Sequence, residues 1–425
     1  MEIDRDKYLR DLAARRGNGL VKVVTGARRA GKSYLLFKLY RDLLREEGVP
    51  DDRIVELAFD LRSSRPLRDP DAFLEWAMPR LEGGGERLVL LDEVQLLGDF
   101  EEVLNELSRM PGVDVYVTGS NSKFLSTDIV TEFRGRGDEV HVLPLTFGEF
   151  MQCRNDGEAR AWADYVEFGG LPLVATMAKP EQKAAYLKNL FEETYIADII
   201  ERNGLRKTQE LEDLLNVLAS STGSLTNASR VQATFKSVLK SNISLNTVKA
   251  YIGYLEDSFL VSAASRYDVK GRKYIGAPLK YYFEDVGLRN ARVGFRQGEE
   301  NHLMENVIYN ELRYRSFSVD VGVVKSREYD AEGVQRPVAR EVDFVANLAG
   351  RRYYVQSAFA IPDAMKAEQE GVATGHRRLV QEDRRSEGRG QREPRRARHR
   401  NHGTVRLLAG SQQPRALGGE ARHSD

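Results

Sequence analysis

Cysteine is almost missing from this chain. Cys153 is the single one among 425 residues, which excludes an internal disulfide and any cysteine-based zinc site and leaves it as a small apolar filler. Long apolar runs are missing too: nothing approaches the roughly eighteen consecutive residues that a membrane-spanning helix needs. The N-terminus, Met1-Glu2-Ile3-Asp4-Arg5-Asp6-Lys7, is too charged for a secretory signal, so the expected location is cytoplasmic with no membrane partner. Net charge is absent as well, with 64 basic and 64 acidic residues. That zero conceals a split. From Gly371 to Asp425 there are 13 Arg, no Lys and 6 acidic residues, which leaves the body with 51 basic and 58 acidic groups. A bulk electrostatic case for nucleic-acid binding therefore rests on the tail alone.

What is present begins with Gly26-Ala27-Arg28-Arg29-Ala30-Gly31-Lys32-Ser33. The apolar run Leu20 to Thr25 precedes it and a helix-forming segment, Tyr34 to Glu47, follows, which is the strand, loop and helix context a P-loop requires. Gly26 and Gly31 let the backbone wrap a phosphate, so that successive N–H groups and the helix N-terminus face the anion. Lys32 reaches for the β- and γ-phosphates and Ser33 for Mg²⁺. Further on, Arg87-Leu88-Val89-Leu90-Leu91-Asp92-Glu93 reads as a buried parallel strand with two carboxylates at its C-terminal end, where open α/β sheets place their ligands. This Walker B pattern assigns Asp92 to the metal and Glu93 to the attacking water.

Strands are also expected at Arg53 to Phe59, Val113 to Thr118 and Glu139 to Leu143, with helices between, giving an α/β fold around a five-stranded parallel sheet. After the third of the Walker-type strands, Ser120 and Asn121 are candidates to orient the water, or equally the N-cap of a following helix. In the loop Phe133-Arg134-Gly135-Arg136-Gly137, an arginine on a glycine-flanked turn can add charge to a phosphoryl transition state, from the same chain or a neighbouring subunit.

Together with Pro144-Leu145-Thr146-Phe147-Gly148-Glu149-Phe150 and Tyr165-Val166-Glu167-Phe168-Gly169-Gly170-Leu171-Pro172, these motifs resemble a large prokaryotic family of AAA-type ATPases. In that family the ATPase is fused to a C-terminal domain related to restriction-type nucleases. The resemblance runs to about Glu370 and implies ATP and Mg²⁺ as cofactors, ATP rather than GTP, and Arg136 rather than Arg134 as the loop arginine. It implies an ATPase domain over 1–155, a helical lid or linker over 156–205, a winged-helix-like domain over 206–290 and a nuclease-like domain over 291–370.

The later segments suit that division in part. Lys183 to Arg202 reads as one long helix. Thr208 to Val261 reads as helical, and the basic turn Lys270-Gly271-Arg272-Lys273 between Ser262 to Tyr267 and Tyr281-Tyr282-Phe283 reads as a wing. The helix that would enter a DNA groove carries only Lys249 as a cation, so its Tyr251, Tyr254, Leu255 and Phe259 point to packing or a protein contact rather than base readout. In the nuclease-like segment Glu305 and Asp343 match an active enzyme, but Gln356 stands for its acid and Ala358 for its lysine. A neutral amide and a methyl cannot activate water beside a metal, so the domain is expected to be an inactive binding fold.

From Gly371 the chain has no Phe, Tyr, Trp, Ile, Met or Lys. It reads either as a basic arm for nucleic acid or, preferably, as the product of a slipped reading frame near Glu370, and its four histidines are not a metal site. The function expected is ATP hydrolysis coupled to C-terminal domains that bind a DNA or protein partner, with homo-oligomerisation possible in principle. The alternatives are a nucleotide-gated binding module with little or no hydrolysis, and a DNA nuclease.

Overall fold

The computed structural model describes residues 2–119, 137–206, 208–296, 299–329, 335–357 and 380–382. Its first part runs α1 (Asp6–Ala13), β1 (Val21–Thr25), α2 (Lys32–Tyr34) continuing as a π-helical stretch (Leu35–Tyr40) into α3 (Arg41–Glu46), β2 (Ile54–Ala58), α4 (Pro70–Leu81), β3 (Arg87–Asp92), α5 (Phe100–Arg109), β4 (Val113–Thr118) and β5 (Gly137–His141). The strands form one parallel sheet in the order β2-β3-β4-β1-β5, as the alternation of apolar strands and helices predicts. Both faces are covered, which is why the strands lack an apolar/polar alternation. Val21, Val23, Val89 and Leu91 pack with α4 and α5 on one side; Val24, Leu88, Leu90 and Val140 pack with α1 and the P-loop helix on the other. Each fully buried Val or Leu contributes about 1.5–3 kcal/mol. The expected strand at Glu139 to Leu143 starts two residues earlier and stops at His141.

Beyond the sheet, Thr146 and Glu149 form a reciprocal capping box at α6 (Phe147–Met151). Glu149 also pairs with the buried Arg5 at 3.1 Å, and Arg5 donates to the Leu143 carbonyl at 2.6 Å, which ties the N-terminus to the end of the sheet. Helices α7 (Glu158–Phe168), α8 (Pro172–Thr176), α9 (Pro180–Asn189), a π-helical stretch (Leu190–Ile196), α10 (Ala197–Asn203), α11 (Thr208–Ser220), α12 (Ala228–Ser237) and α13 (Leu245–Asp257) follow. The segment expected as one helix from Lys183 to Arg202 is helical throughout but changes pitch at Leu190. Of the residues expected to pack, Tyr251 and Leu255 of α13 are buried in the helical core with Val248 and Ile252, Tyr254 packs against it, and Phe259 is buried in the core beside the P-loop helix.

The chain ends with β6 (Val261–Asp268), β7 (Lys273–Phe283), α14 (Val286–Arg292), α15 (Glu300–Tyr314), β8 (Ser318–Tyr329), β9 (Gln335–Leu348), β10 (Arg351–Val355) and β11 (Val380–Glu382). Here the structure corrects an expectation. The β6–β7 hairpin is not a free wing: β6 pairs in parallel with β8, and the hairpin forms two of the six strands in the order β11-β10-β9-β8-β6-β7. The division at 290 thus falls between strands of one sheet. Side-chain alternation explains why. Val261, Tyr281 and Phe283 face the helical core, whereas Ala264 and Tyr282 enter a second core with Tyr309, Val321, Phe344 and Val355. The last expected strand stops at Val355 rather than reaching Ala358, which lies outside the described residues.

The Gly169-Gly170 and Asp285 segments lock these parts together. Asp285 is fully buried, accepts the Gly170 N–H at 2.7 Å and caps α14 through Leu288 N–H at 2.9 Å. A Cβ on Gly169, whose φ is +77°, would sit 2.2 Å from the Asp285 carboxylate, so only glycine fits there. Burial outweighs the donated N–H groups and pushes the Asp285 carboxyl up to about 6. Among the described residues no helix is long and apolar enough to cross a membrane.

Candidate functional site

The C-terminal ends of β1, β3 and β4 bring the expected loop and carboxylates together. Gly26 leaves β1 with φ +134°, and a Cβ there would meet the Val142 carbonyl at 2.1 Å, so the loop must begin with glycine. Ala27 and Ala30 are buried, Arg29 is exposed, and Gly31 (φ +95°) opens the helix whose first residues are Lys32 and Ser33. The Lys32 ammonium is 6% exposed and donates to the carbonyls of Gly26 (2.9 Å) and Ala27 (3.0 Å). Burial pulls it down to about 8, against the smaller opposing fields of Glu93 and Asp92. Among the described residues the Lys32 ammonium has no carboxylate at ion-pair distance, and its hydrogen bonds go to its own loop's carbonyls.

Asp92 closes β3, buried. Thr118, at the end of β4, donates its hydroxyl to the Asp92 carboxylate and accepts the Glu93 N–H at 3.2 Å. Burial raises the Asp92 carboxyl, while hydrogen bonds from Thr118 and Ser33 oppose the rise. Ser33 and Asp92, expected to share a metal, thus lie at the same mouth of the loop, close enough for the Ser33 hydroxyl to favour the ionised carboxylate. Glu93 lies just past the strand in the left-handed region, φ 50°, and its carboxylate accepts from the Gln95 side-chain amide. The donor set of a hydroxyl and a carboxylate suits Mg²⁺, and the glycine-led loop with its ammonium suits a polyphosphate. Asn121, Ser120, Arg134 and Arg136 lie outside the described residues.

Several contacts at the site were not legible in the sequence. Arg28 reaches out of the loop to Asp198 on α10, which Arg202 also contacts, and Tyr195 donates its hydroxyl to the Arg28 carbonyl at 3.0 Å. On the other side of the loop, Thr25 contacts Glu139 at 2.6 Å and His141 at 3.0 Å, and His141 meets the buried Glu284 at 2.9 Å. Burial pushes the Glu284 carboxyl up, but His141 and Arg313, the latter at 3.1 Å, together hold it below the usual range. A polar residue closing a buried strand, as Thr118 does, was the one available signal; partners far apart in sequence leave none.

The residues expected of a nuclease-like centre also converge, with an addition. Lys280 of β7 lies between Glu305 of α15 (2.8 Å) and Glu341 of β9 (2.6 Å), and Tyr282 donates to Glu305 at 2.5 Å. Asp343 accepts the Ser357 N–H at 2.7 Å and is pushed up to about 6 by burial and then by Glu305. Gln356 follows β10, half-buried. No group of three or more metal-ligating side chains able to hold an ion is found among the described residues.

Sheet order, loop and carboxylates define an AAA-type P-loop domain, and residues 18–151 match the family model described as an AAA domain. Residues 159–299 match a domain of unknown function, DUF8612. Over 369 residues the chain is 32% identical to an uncharacterized protein of Haemophilus influenzae, covering 85% of this chain and 88% of that one. It belongs to the same family as that protein. An uncharacterized protein of Methanocaldococcus jannaschii is 24% identical over 330 residues, 73% of this chain and 71% of the relative. Among solved structures, the Aeropyrum pernix ORC1 protein in complex with DNA covers 69% of this chain and 93% of its own at 14% identity and a TM-score of 0.30, a likeness that adds nothing to either conclusion.

Proposed function

We propose that the chain is a Mg²⁺-dependent ATPase whose nucleotide state positions C-terminal parts that hold a DNA or protein partner. One juxtaposition supports this above all: a buried ammonium without an ion-pair partner among the described residues shares the mouth of a glycine-led loop with a hydroxyl and a buried carboxylate. Lys32 exchanges the Gly26 and Ala27 carbonyls for phosphate oxygens, and the N–H groups from Gly26 through Arg28, Arg29 and Ala30 to Ser33 line the anion. Ser33 and Asp92 hold Mg²⁺, which neutralises charge developing on the phosphates when bound. Glu93 takes the proton of the attacking water, Asn121 orients that water, and Arg136 adds transition-state charge, from the same chain or a second copy.

Coupling to the rest of the molecule follows from the two contacts that flank the loop. Arg28 is shared between the phosphate site and Asp198, so a nucleotide that draws Arg28 away loosens α10 from the loop. The Thr25–His141–Glu284–Arg313 chain joins the loop's strand to the C-terminal sheet. We take residues 1–155 as the ATPase, the following helices as a lid and connector, and the β6–β7 hairpin together with the nuclease-like part as one binding unit built on the six-stranded sheet. DNA cleavage is the weakest reading, since Lys280, the lysine beside Glu305 among the described residues, is committed to two glutamates.

Steady-state turnover and calorimetric binding of ATP by the wild type and Glu93→Gln test the proposal. Turnover should fall about 10²- to 10⁴-fold with ATP binding retained; equal turnover would remove Glu93 from the mechanism. The contact between Gln95 and the Glu93 carboxylate favours a second reading, a nucleotide-gated module in which that carboxylate is held from water. ATP binding without turnover in the wild type, together with turnover gained in Gln95→Ala, would select it.

A further inference from the structure

We propose that Arg28 distinguishes a nucleoside triphosphate from a diphosphate: it turns to the γ-phosphate when one is bound and stays on Asp198 when none is, while Arg202 keeps Asp198 paired in either case. This rests on the reading of the loop as a nucleotide site, and it names the nucleotide that draws Arg28 off α10. The two guanidiniums take different oxygens of one carboxylate. Arg28 donates to Oδ1 of Asp198, and Arg202, one turn further along α10, donates to Oδ2. Among the described residues no other carboxylate forms an ion pair with either arginine.

Position along the loop decides which phosphate Arg28 meets. In a P-loop the backbone N–H groups cradle the α- and β-phosphates, and the lysine marks the β/γ end. Lys32 donates to the Ala27 carbonyl at 3.0 Å, and Arg28 is the next residue, so its side chain leaves the loop at that end. The Arg28 charge is also felt at Lys32: burial is the main cause that lowers the ammonium to about 8, and Arg28 adds to it. The main chain there is pinned, because the buried Tyr195, just before α10, donates to the Arg28 carbonyl at 3.0 Å. The exchange is therefore a movement of the side chain alone. Arg28 holds Asp198 through a single N–H, and its Nε–H is buried with no acceptor among the described residues. A phosphate accepts from both arms of a guanidinium, which Asp198, shared with Arg202, does not do here.

Charge decides which state wins. Burial lowers the Arg202 pKa below the ordinary arginine value; Asp198 opposes that and Arg28 reinforces it, so the two arginines repel each other across their shared counter-ion. The other acids nearby are engaged: Asp92 accepts from Thr118, Glu93 from Gln95, and Glu284 is held by His141 and Arg313. Asp257 acts on Arg202 only through a smaller field. Removing Arg28 leaves Asp198 on Arg202, so no carboxylate is stranded, which is what makes breaking a buried ion pair costly. A γ-phosphate supplies charge and acceptor oxygens at this end of the loop; with a diphosphate Arg28 would give up Asp198 for nothing in return. A triphosphate thus unties the loop from α10, and a diphosphate leaves it tied.

The test uses the full chain and calorimetry with two probes, ADP and an ATP analogue whose β–γ bridge is an imido group that resists hydrolysis, each with Mg²⁺. The readout is the ratio of the two affinities. Arg28→Gln should lower the preference for triphosphate about tenfold to a hundredfold, the worth of a charge-assisted contact to phosphate. Arg28→Lys, which keeps the charge and loses the fork, should recover part of it, whereas a side chain that only braces the loop would shift both affinities alike. Asp198→Asn, which removes the competitor, should raise the preference a few-fold. Hydrogen exchange over Ala197–Asn203 gives a second readout: faster with the triphosphate than with ADP in the wild type, and equal with both in Arg28→Gln. An unchanged ratio in Arg28→Gln, or a ratio that falls in Arg29→Gln instead, would overturn the proposal and leave the nucleotide site standing. Binding of neither probe by the wild type would overturn both.

Discussion

Two buried lysines in this molecule have opposite fates. Lys32 lies in the P-loop without a carboxylate at ion-pair distance among the described residues, and burial lowers it to about 8. For Lys280 burial also acts to lower the pKa, but Glu305 and Glu341 outweigh it and hold the ammonium above its ordinary value. The same desolvation is outweighed by two contacting carboxylates in one place and only partly offset by the weaker fields of Glu93 and Asp92 in the other. A lysine left short of negative charge suits a ligand that brings its own; a lysine supplied with two glutamates joins β7, α15 and β9. The nucleotide end is prepared for an anion, and the centre of the C-terminal sheet has none to accept.

The largest effect expected from breaking this contrast is at Lys280. Lys280→Met leaves the buried Glu305 without its counter-ion, beside the more exposed Glu341, and should cost about 3–5 kcal/mol in denaturant unfolding, with ATP affinity unchanged for any molecule still folded. Lys32→Ala should do the reverse. ATP affinity drops about a hundredfold by calorimetry, as expected for losing charge-assisted bonds to phosphate, while stability holds or rises because an uncompensated ammonium is removed. Similar stability losses in both variants would erase the distinction.

A pH series sharpens it further. Between about 8 and the unfolded value of 10.5, native Lys32 binds fewer protons than the unfolded chain, so this group makes stability rise with pH across that window. Phosphate binding requires the ammonium, so ATP affinity should be full below pH 8 and weaken by up to about tenfold per unit above it, with proton uptake seen as buffer-dependent heat. Lys280 contributes no such change there. The smallest effect belongs to the partly exposed pair of Arg28 and Asp198: Asp198→Asn should cost under about 1 kcal/mol of stability. By freeing Arg28 for phosphate it should tighten ATP binding a few-fold, measurable by the same titration.

The loop and carboxylates of the proposed nucleotide site could be placed in advance because they lie close together in the sequence. Gly26, Lys32 and Ser33 lie within eight consecutive residues, and Asp92 and Glu93 are adjacent. The five strands were visible as apolar runs because burial on both faces leaves no place for polar residues. The hairpin from Val261 to Phe283 was misread as a wing for the corresponding reason: its basic turn and alternation fit a free hairpin or a sheet edge equally, and only the pairing of Arg266 with Val321 separates them. Likewise the lysine missing at Ala358 could be noticed in the sequence, whereas Lys280 beside Glu305 could not.

By itself, then, the sequence determined the glycine-led loop, the carboxylate pair at the end of β3 and the parallel sheet. These follow from hydrogen bonding and apolar periodicity over a few residues. The tertiary structure alone decided which lysine is neutralised and which loop arginine is held by α10. Charges act through space, and residues separated by 25 positions or by 170 reach the same few ångströms only after folding.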